Sequence, residues 1–346
     1  MNRNAWPLLP FLALVTGCGG SGGGGASDTV TVVTTPAPNP TATPAPLPSP
    51  TPTPTPAPTG FTAQAAAMYA TQPDIAGCQP GQLSAATTQA VLASLNGIRA
   101  LHRLPPVTYS AGDEAAAQAA ALLQAANDAL SHTPPTSWKC HTALGATGSA
   151  TSNLYAGFGN GLGVQSDDSI LAGWMTEVDN VAADNVGHRR WLLDPFLGTI
   201  AYGRVIGASP TRTRGDAAAI KVFGNAGSGS VNGTLPPFVA YPYGDYPARY
   251  FATDALLSFG VIASTTRGSS ANAQVDYAGA VITVRQRGGG ALSVSKQSSD
   301  NQGYGLPNNL QFAVAGLQSG TTYDVTIDGV SVSGTRQSYS YSFRIV

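Results

Sequence analysis

The sequence predicts an α+β protein in which a three-layer α/β/α domain is followed by an antiparallel β-sandwich of immunoglobulin-like type. Three observations carry that expectation. Apolar residues recur at helical spacing from Ser84 to about Leu130, and short strand-like runs follow near residue 200. From about Leu235 the helical period disappears and apolar/polar alternation replaces it. Ahead of both lies a stretch so rich in Gly, Pro and Thr that it cannot build a core.

That leading stretch reads as export and tether. Arg3 supplies a positive start, and Trp6 to Val15 form an apolar run too short to span a bilayer. Val15-Thr16-Gly17-Cys18 reads as a bacterial lipobox, so residues 1–18 are expected to be a lipoprotein signal peptide with Cys18 as the lipidated residue. An ordinary signal peptide with a chance cysteine is the alternative. Gly19, rather than Asp, follows Cys18, which points to the outer membrane or cell surface of a bacterial envelope. Residues 19–60 form a disordered tether in this reading. Its glycine run gives way between Pro36 and Pro58 to Pro, Thr and Ala, an extended spacer rising about 3.1 Å per residue. A proline-motif ligand for a partner is its second reading.

The chain from Phe61 to Val346 is long enough for two domains, expected at 61–230 and 235–346. A formal net charge of −1 without a basic block argues against nucleic-acid binding. With Cys18 taken by lipid, Cys78 and Cys140 remain as an even pair in an exported chain. A Cys78–Cys140 disulfide is expected; two buried free thiols are the alternative.

The elements follow in order. Ser84 caps a helix running towards Arg103, with Val91, Leu92, Leu95 and Ile98 on one face, and Pro105-Pro106 stops it. Ser110, Asp113 and Glu114 start an alanine-rich helix to about Leu130, whose small side chains suit close packing on a sheet. Asp167 and Asp168 open a helix carrying Ile170, Leu171, Trp174 and Glu177. Another short helix surrounds His188 and ends at Asp194-Pro195. Strands are expected at Thr199–Val205 and Ala219–Phe223. In the C-terminal part Leu310, Phe312 and Val314 alternate with polar residues, as do Tyr323, Val325 and Ile327, and Tyr339, Tyr341, Phe343 and Ile345. Asp328-Gly329 reads as a turn between two such runs. Nothing in this part reads as a site, so a supporting or partner-binding role is expected of it.

Charged residues make up 10% of the chain, so the cluster Gly187-His188-Arg189-Arg190-Trp191 stands out. With Ser131-His132, with Trp174 and Glu177 and with the preceding helices, it resembles the CAP superfamily, which comprises cysteine-rich secretory proteins, antigen 5 and pathogenesis-related 1 proteins. The resemblance spans about Leu83 to Asn225. It implies a CAP-type α/β/α sandwich with two histidines and two glutamates around one cleft. His132 matches the first histidine, Glu177 the second glutamate and His188 the second histidine, while Ser152 stands where the first glutamate is expected. Asn96 and Arg99 match a recurrent Asn-x-x-Arg pattern and read as structural.

Two imidazoles and a carboxylate are a donor set for a divalent metal such as zinc, so His132, His188 and Glu177 are candidate ligands, although no cofactor is required. The same groups can act as a general base and its orienting partner. A Ser152–His188–Glu177 triad lacks the Gly-x-Ser-x-Gly elbow that would expose a nucleophile. The pair of histidines can also be structural. Trp174 and Trp191 read as core, Glu177 as a partner for Arg189 or Arg190, and His102 and His141 as ordinary.

The leading functional expectation is a binding module on the bacterial envelope. It would be held to the membrane by lipid and would engage a small hydrophobic ligand or a lipid, cell-wall or surface partner. No catalytic residue is assigned. A metal-dependent, peptidase-like hydrolase is the alternative, and a structural lipoprotein with a vestigial cleft is the second.

Overall fold

The computed structural model describes residues 60–180, 185–223 and 234–346. The expected signal peptide (residues 1–18), with Cys18, and residues 19–59 of the expected tether lie outside the described residues.

A short helix α1 (Phe61–Ala66) leads into the small strand pair β1 (Tyr69–Thr71) and β2 (Gln82–Leu83). Helix α2 (Ala85–Leu101) starts where Ser84 Oγ accepts the Thr87 N–H, satisfying one of the orphan donors of the first turn. Val91, Leu95 and Ile98 are fully buried along it, as their spacing requires. Strand β3 (Thr108–Tyr109) precedes the alanine-rich helix α3 (Glu114–Asn127), which ends at Asp128 in the left-handed region with φ 46°. Helix α4 (Ala143–Ala150), capped by Thr142, was not legible among so many small residues. Strand β4 (Ser152–Gly159), helices α5 (Asp167–Thr176) and α6 (Gly187–Leu192), and strands β5 (Thr199–Gly207) and β6 (Arg214–Lys221) follow.

Four of these strands make one sheet in the order β3-β5-β6-β4, with β4 at its edge. Alternation sends Val205, Ala217 and Ala219 to one face against α3, and Ile200, Tyr202, Ala218 and Ile220 to the other against α2 and α5. The result is the expected α/β/α layering. The fit of α3 on the sheet is very close. A Cβ on Gly203 of β5 would lie 2.3 Å from the Ala117 backbone, so alanine on the helix and glycine on the strand are both required.

The C-terminal part consists of β7 (Phe238–Tyr241), β8 (Gly244–Tyr246), β9 (Leu257–Val261), β10 (Val275–Asp276), β11 (Val281–Gln286), β12 (Val294–Asp300), β13 (Asn309–Val314), β14 (Thr322–Val332) and β15 (Thr335–Ile345). One sheet runs β12-β13-β9-β7. In the other, β10 and β11 pair with β14, which is followed by β15 and β8. The pairing is antiparallel apart from β8, which joins β15 in parallel. Tyr323, Val325 and Ile327 are buried as the alternation predicts.

One turn expectation is corrected. Asp328-Gly329 lies within β14, where the register shifts between Ile327 and Val330. Gly329 has φ 76°, and a Cβ there would lie 2.5 Å from the Gly279 carbonyl oxygen, so the glycine serves a bulge and a close approach. The β14–β15 reversal falls at Ser333-Gly334, where both φ angles are positive.

A single hydrophobic core extends from Val91, Leu95 and Trp174 to Phe259, Tyr323 and Phe343, crossing the expected boundary near residue 230. The described residues accordingly fall within one compact unit. The polar seam is built by the Gly187–Trp191 segment. Arg189 is 1% exposed, and its guanidinium donates to the carbonyls of Met175 and Thr176 on one side. On the other it donates to Leu256 O and Ser258 Oγ and lies 3.6 Å from the Tyr241 ring centre. Arg190 Nη1 donates to both carboxylate oxygens of Asp300 at 2.9 Å. His102, which read as ordinary, is buried between Ala240 O and the Tyr246 hydroxyl.

Candidate functional site

The edge strand β4 forms the floor of a cavity of about 700 Å³, flanked by the loop after α3 on one side and by α5 and α6 on the other. His132, Ser152, Glu177 and His188 all line it. The four positions separated by up to 56 residues in sequence (132 to 188) therefore meet in one place, as the resemblance implied.

Each is held by identifiable contacts. Trp174 Nε1 donates to Leu154 O at 3.0 Å, pinning α5 to β4, and Trp174 is core as expected. The start of α5 is fixed from below by a buried network. Arg204 pairs with Asp216 on β6, and with Asp167 at the first turn of α5. Glu177 then ends α5 in the left-handed region, φ 61°, which turns its carboxylate back towards α6. Its Oε2 accepts from His188 Nδ1 and from Asn180 Nδ2, each at 2.8 Å, and its Oε1 accepts the Arg189 backbone N–H at 2.9 Å. Asn153 Nδ2 donates to the His188 carbonyl, tying α6 to β4.

The carboxylate thus selects the His188 tautomer. Nδ1 carries the shared proton, leaving the Nε2 lone pair for the cleft. His132 is exposed, and its Nδ1 meets only a carbonyl oxygen, Ser149 O at 2.9 Å, so its Nε2 is also the free nitrogen. Ser152 is 3% exposed, and its hydroxyl has no hydrogen-bond partner. Burial pushes the phenol of Tyr155, also in the lining, up to about 12, so it stays a neutral hydroxyl.

One expectation is corrected. Glu177 does not pair with a guanidinium: it takes the backbone N–H of Arg189, whose side chain is turned to the seam. The Glu177 oxygens accept from His188, Asn180 and the α6 backbone, and the position of the first glutamate holds a serine. Among the described residues no group of three or more His, Cys, Asp or Glu is placed to hold a metal ion.

Three aromatic residues complete the cleft. Trp191, half-buried rather than core, packs on Phe223 with ring centres 3.8 Å apart and meets Tyr304 edge-on at 6.2 Å. Tyr304 comes from the β12–β13 loop, so the β-sandwich contributes to the site, contrary to the expectation that it holds none. No local pattern marks Tyr304: a lone Tyr in a Gly-rich loop looks like any turn residue. Phe223 and Leu130, 37% and 38% exposed, also line the cavity.

With this geometry in place, comparison with known families is decisive for the first part of the chain. Residues 92–212 match the model of the cysteine-rich secretory protein family, CAP. The chain carries a CAP domain. No curated protein matches the chain. The match spans α2 to the turn before β6, and so includes His132, Ser152, Glu177 and His188. The CAP domain is closed on itself by the Cys78–Cys140 disulfide, which bridges 62 residues. A CAP domain with a disulfide fits an extracytoplasmic protein and, at the coarsest level, an extracellular-type binding module. No helix among the described residues is long and apolar enough to cross a membrane.

Proposed function

We propose that this protein is a binding module displayed on a bacterial envelope through a lipid on Cys18, and that its CAP cleft captures a small ligand with an apolar face, free or carried by a lipid, cell-wall or surface partner. The observation that carries the reading is the roughly 700 Å³ cleft itself. It is of small-molecule size and partly walled by exposed apolar side chains, features found at ligand sites more often than on bare surfaces.

One observation favours a second reading. The 2.8 Å Glu177–His188 hydrogen bond is the orienter–base half of a hydrolytic site, with His188 Nε2 able to take a proton from a bound water or hydroxyl. The two readings separate in a thermal-shift screen of neutral, anionic and cationic small molecules against the full chain, with hits followed by mass analysis of the ligand. A module returns its ligand unaltered and still binds it as His188→Ala. A hydrolase yields product, and His188→Ala abolishes the product while the melting temperature holds. If no ligand from any class responds to a cleft substitution such as Phe223→Ala, the cleft is vestigial and the binding reading falls.

A further inference from the structure

The lining of the cleft bears on ligand class by charge. Neither Lys nor Arg lines the cavity among the described residues, while Asp179 does and Glu177 is paired with His188. An anionic head group, whether carboxylate, phosphate or sulfate, would find no Lys or Arg counter-charge there. The family of anionic lipids is therefore a poor match.

The aromatic residues do not form a cage for a quaternary ammonium. An aromatic cage for a quaternary ammonium needs rings spaced around an open centre. Here Trp191 lies in contact with Phe223 at 3.8 Å, and Tyr304 packs edge-on against Trp191 at 6.2 Å, so the rings close on one another as a continuous wall. The Arg190 guanidinium, 5.1 Å from the Tyr304 ring centre, already supplies that ring with a cation.

What remains is a neutral molecule with an apolar face on one side and many hydroxyls on the other. The lining also holds groups that both donate and accept: the side chains of Gln165, Ser169, Tyr155 and Asn185, and the unpartnered buried hydroxyl of Ser152. A pyranose has this division of surfaces. Its axial C–H bonds present a polarised apolar face to the negative face of an aromatic ring, and its equatorial hydroxyls exchange hydrogen bonds with amides and hydroxyls.

We propose, resting on the reading of the cleft as a binding site, that its occupant is a neutral oligosaccharide laid along the Trp191–Phe223–Tyr304 wall. Tyr304 makes the site a joint product of the CAP domain and the β-sandwich. The Ser152 position, smaller than the glutamate implied by the family resemblance, leaves the β4 floor uncharged. Arg190, one residue before Trp191, lies over the Tyr304 ring and ties it to α6, which gives the sandwich a direct part in recognition.

The test titrates chitotetraose and cellotetraose, both neutral, into the full chain by calorimetry and tryptophan fluorescence, beside decanoate and choline. The expected result is saturable binding of at least one tetrasaccharide with a shift in tryptophan emission. Tyr304→Ala and Phe223→Ala should each weaken it about threefold to tenfold, the range for one lost aromatic contact. Phe223 is 37% exposed at the end of β6, so its variant keeps the fold if Tyr304→Ala does not, and melting temperatures check both. Binding of decanoate or choline, but of neither sugar, overturns the saccharide and leaves the binding reading standing. Sugar binding unchanged in both variants places it elsewhere and overturns the proposal. No binding of any of the four overturns the proposal, and also counts against the cleft as a ligand site.

Discussion

Replacing Arg189 with Met tests whether the seam makes one folding unit of the CAP domain and the sandwich. The change keeps the length of the side chain and removes its donors. In the native protein those donors satisfy the carbonyls of Met175, Thr176 and Leu256 and the Ser258 hydroxyl, all at a fully buried guanidinium. Leaving buried acceptors unmet costs about 1–3 kcal/mol each, though such losses do not add fully. Methionine also relieves the penalty of holding a charge out of water, the burial that lowers the pKa of Arg189. The net expectation is a loss of about 3–5 kcal/mol, or roughly 10 °C in melting temperature for a unit of this size. Urea unfolding provides the assay. All four tryptophans (6, 138, 174 and 191) precede the sandwich, so tryptophan fluorescence follows the first half while far-UV circular dichroism follows the strands as well. The parent should show coincident transitions, because one core spans both parts, and Arg189→Met should separate them. A variant within about 1 kcal/mol of the parent, or a parent that already unfolds in two steps, would refute the reasoning.

Burial holds the His102 imidazole down to about 3, against an ordinary 6.5, so it stays neutral in the fold while the unfolded chain protonates. Its contribution is therefore present above pH 6.5 and lost as pH falls towards 3, by up to about 5 kcal/mol. A His102→Leu variant should show a flatter stability profile between pH 6.5 and 4, and equal slopes would contradict the assignment. Breaking the disulfide with Cys78→Ser plus Cys140→Ser removes a 62-residue cross-link and should lower stability by about 4 kcal/mol in denaturant titrations. Calorimetric titration of zinc into the full chain at neutral pH should give no tight one-to-one binding, since both Glu177 oxygens already accept hydrogen bonds; a saturable isotherm abolished by His188→Ala would instead establish a metal site in the cleft.

Much of the architecture is written locally. Ser84 caps α2, and Val91, Leu95 and Ile98 face the core because a 3.6-residue period admits no other arrangement. Alternation likewise fixes the inward face of β14 and β15. The motif order His132, Glu177, His188 was enough to predict a shared cleft, and Ser152 marked the missing acid in advance. Other features depend on neighbours remote in sequence. Asp328-Gly329 has turn chemistry, yet it forms a bulge because the Gly279 backbone packs against it. Arg189 and Arg190 sit beside a histidine in a motif that reads as a site, yet their charges belong to the seam, where Leu256, Ser258 and Asp300 receive them.

By itself, then, the sequence determined most of the helices and strand faces and singled out His132, Ser152, Glu177 and His188, because periodicity, capping and motif order are read directly along the chain. The tertiary structure alone decided three things: the continuity of one core across both parts of the chain, the pairing of Glu177 with His188 rather than with an arginine, and the arrival of Tyr304 at the cleft. Each depends on which side chain meets which across long stretches of chain. That is set by how the layers pack, and no local pattern encodes it.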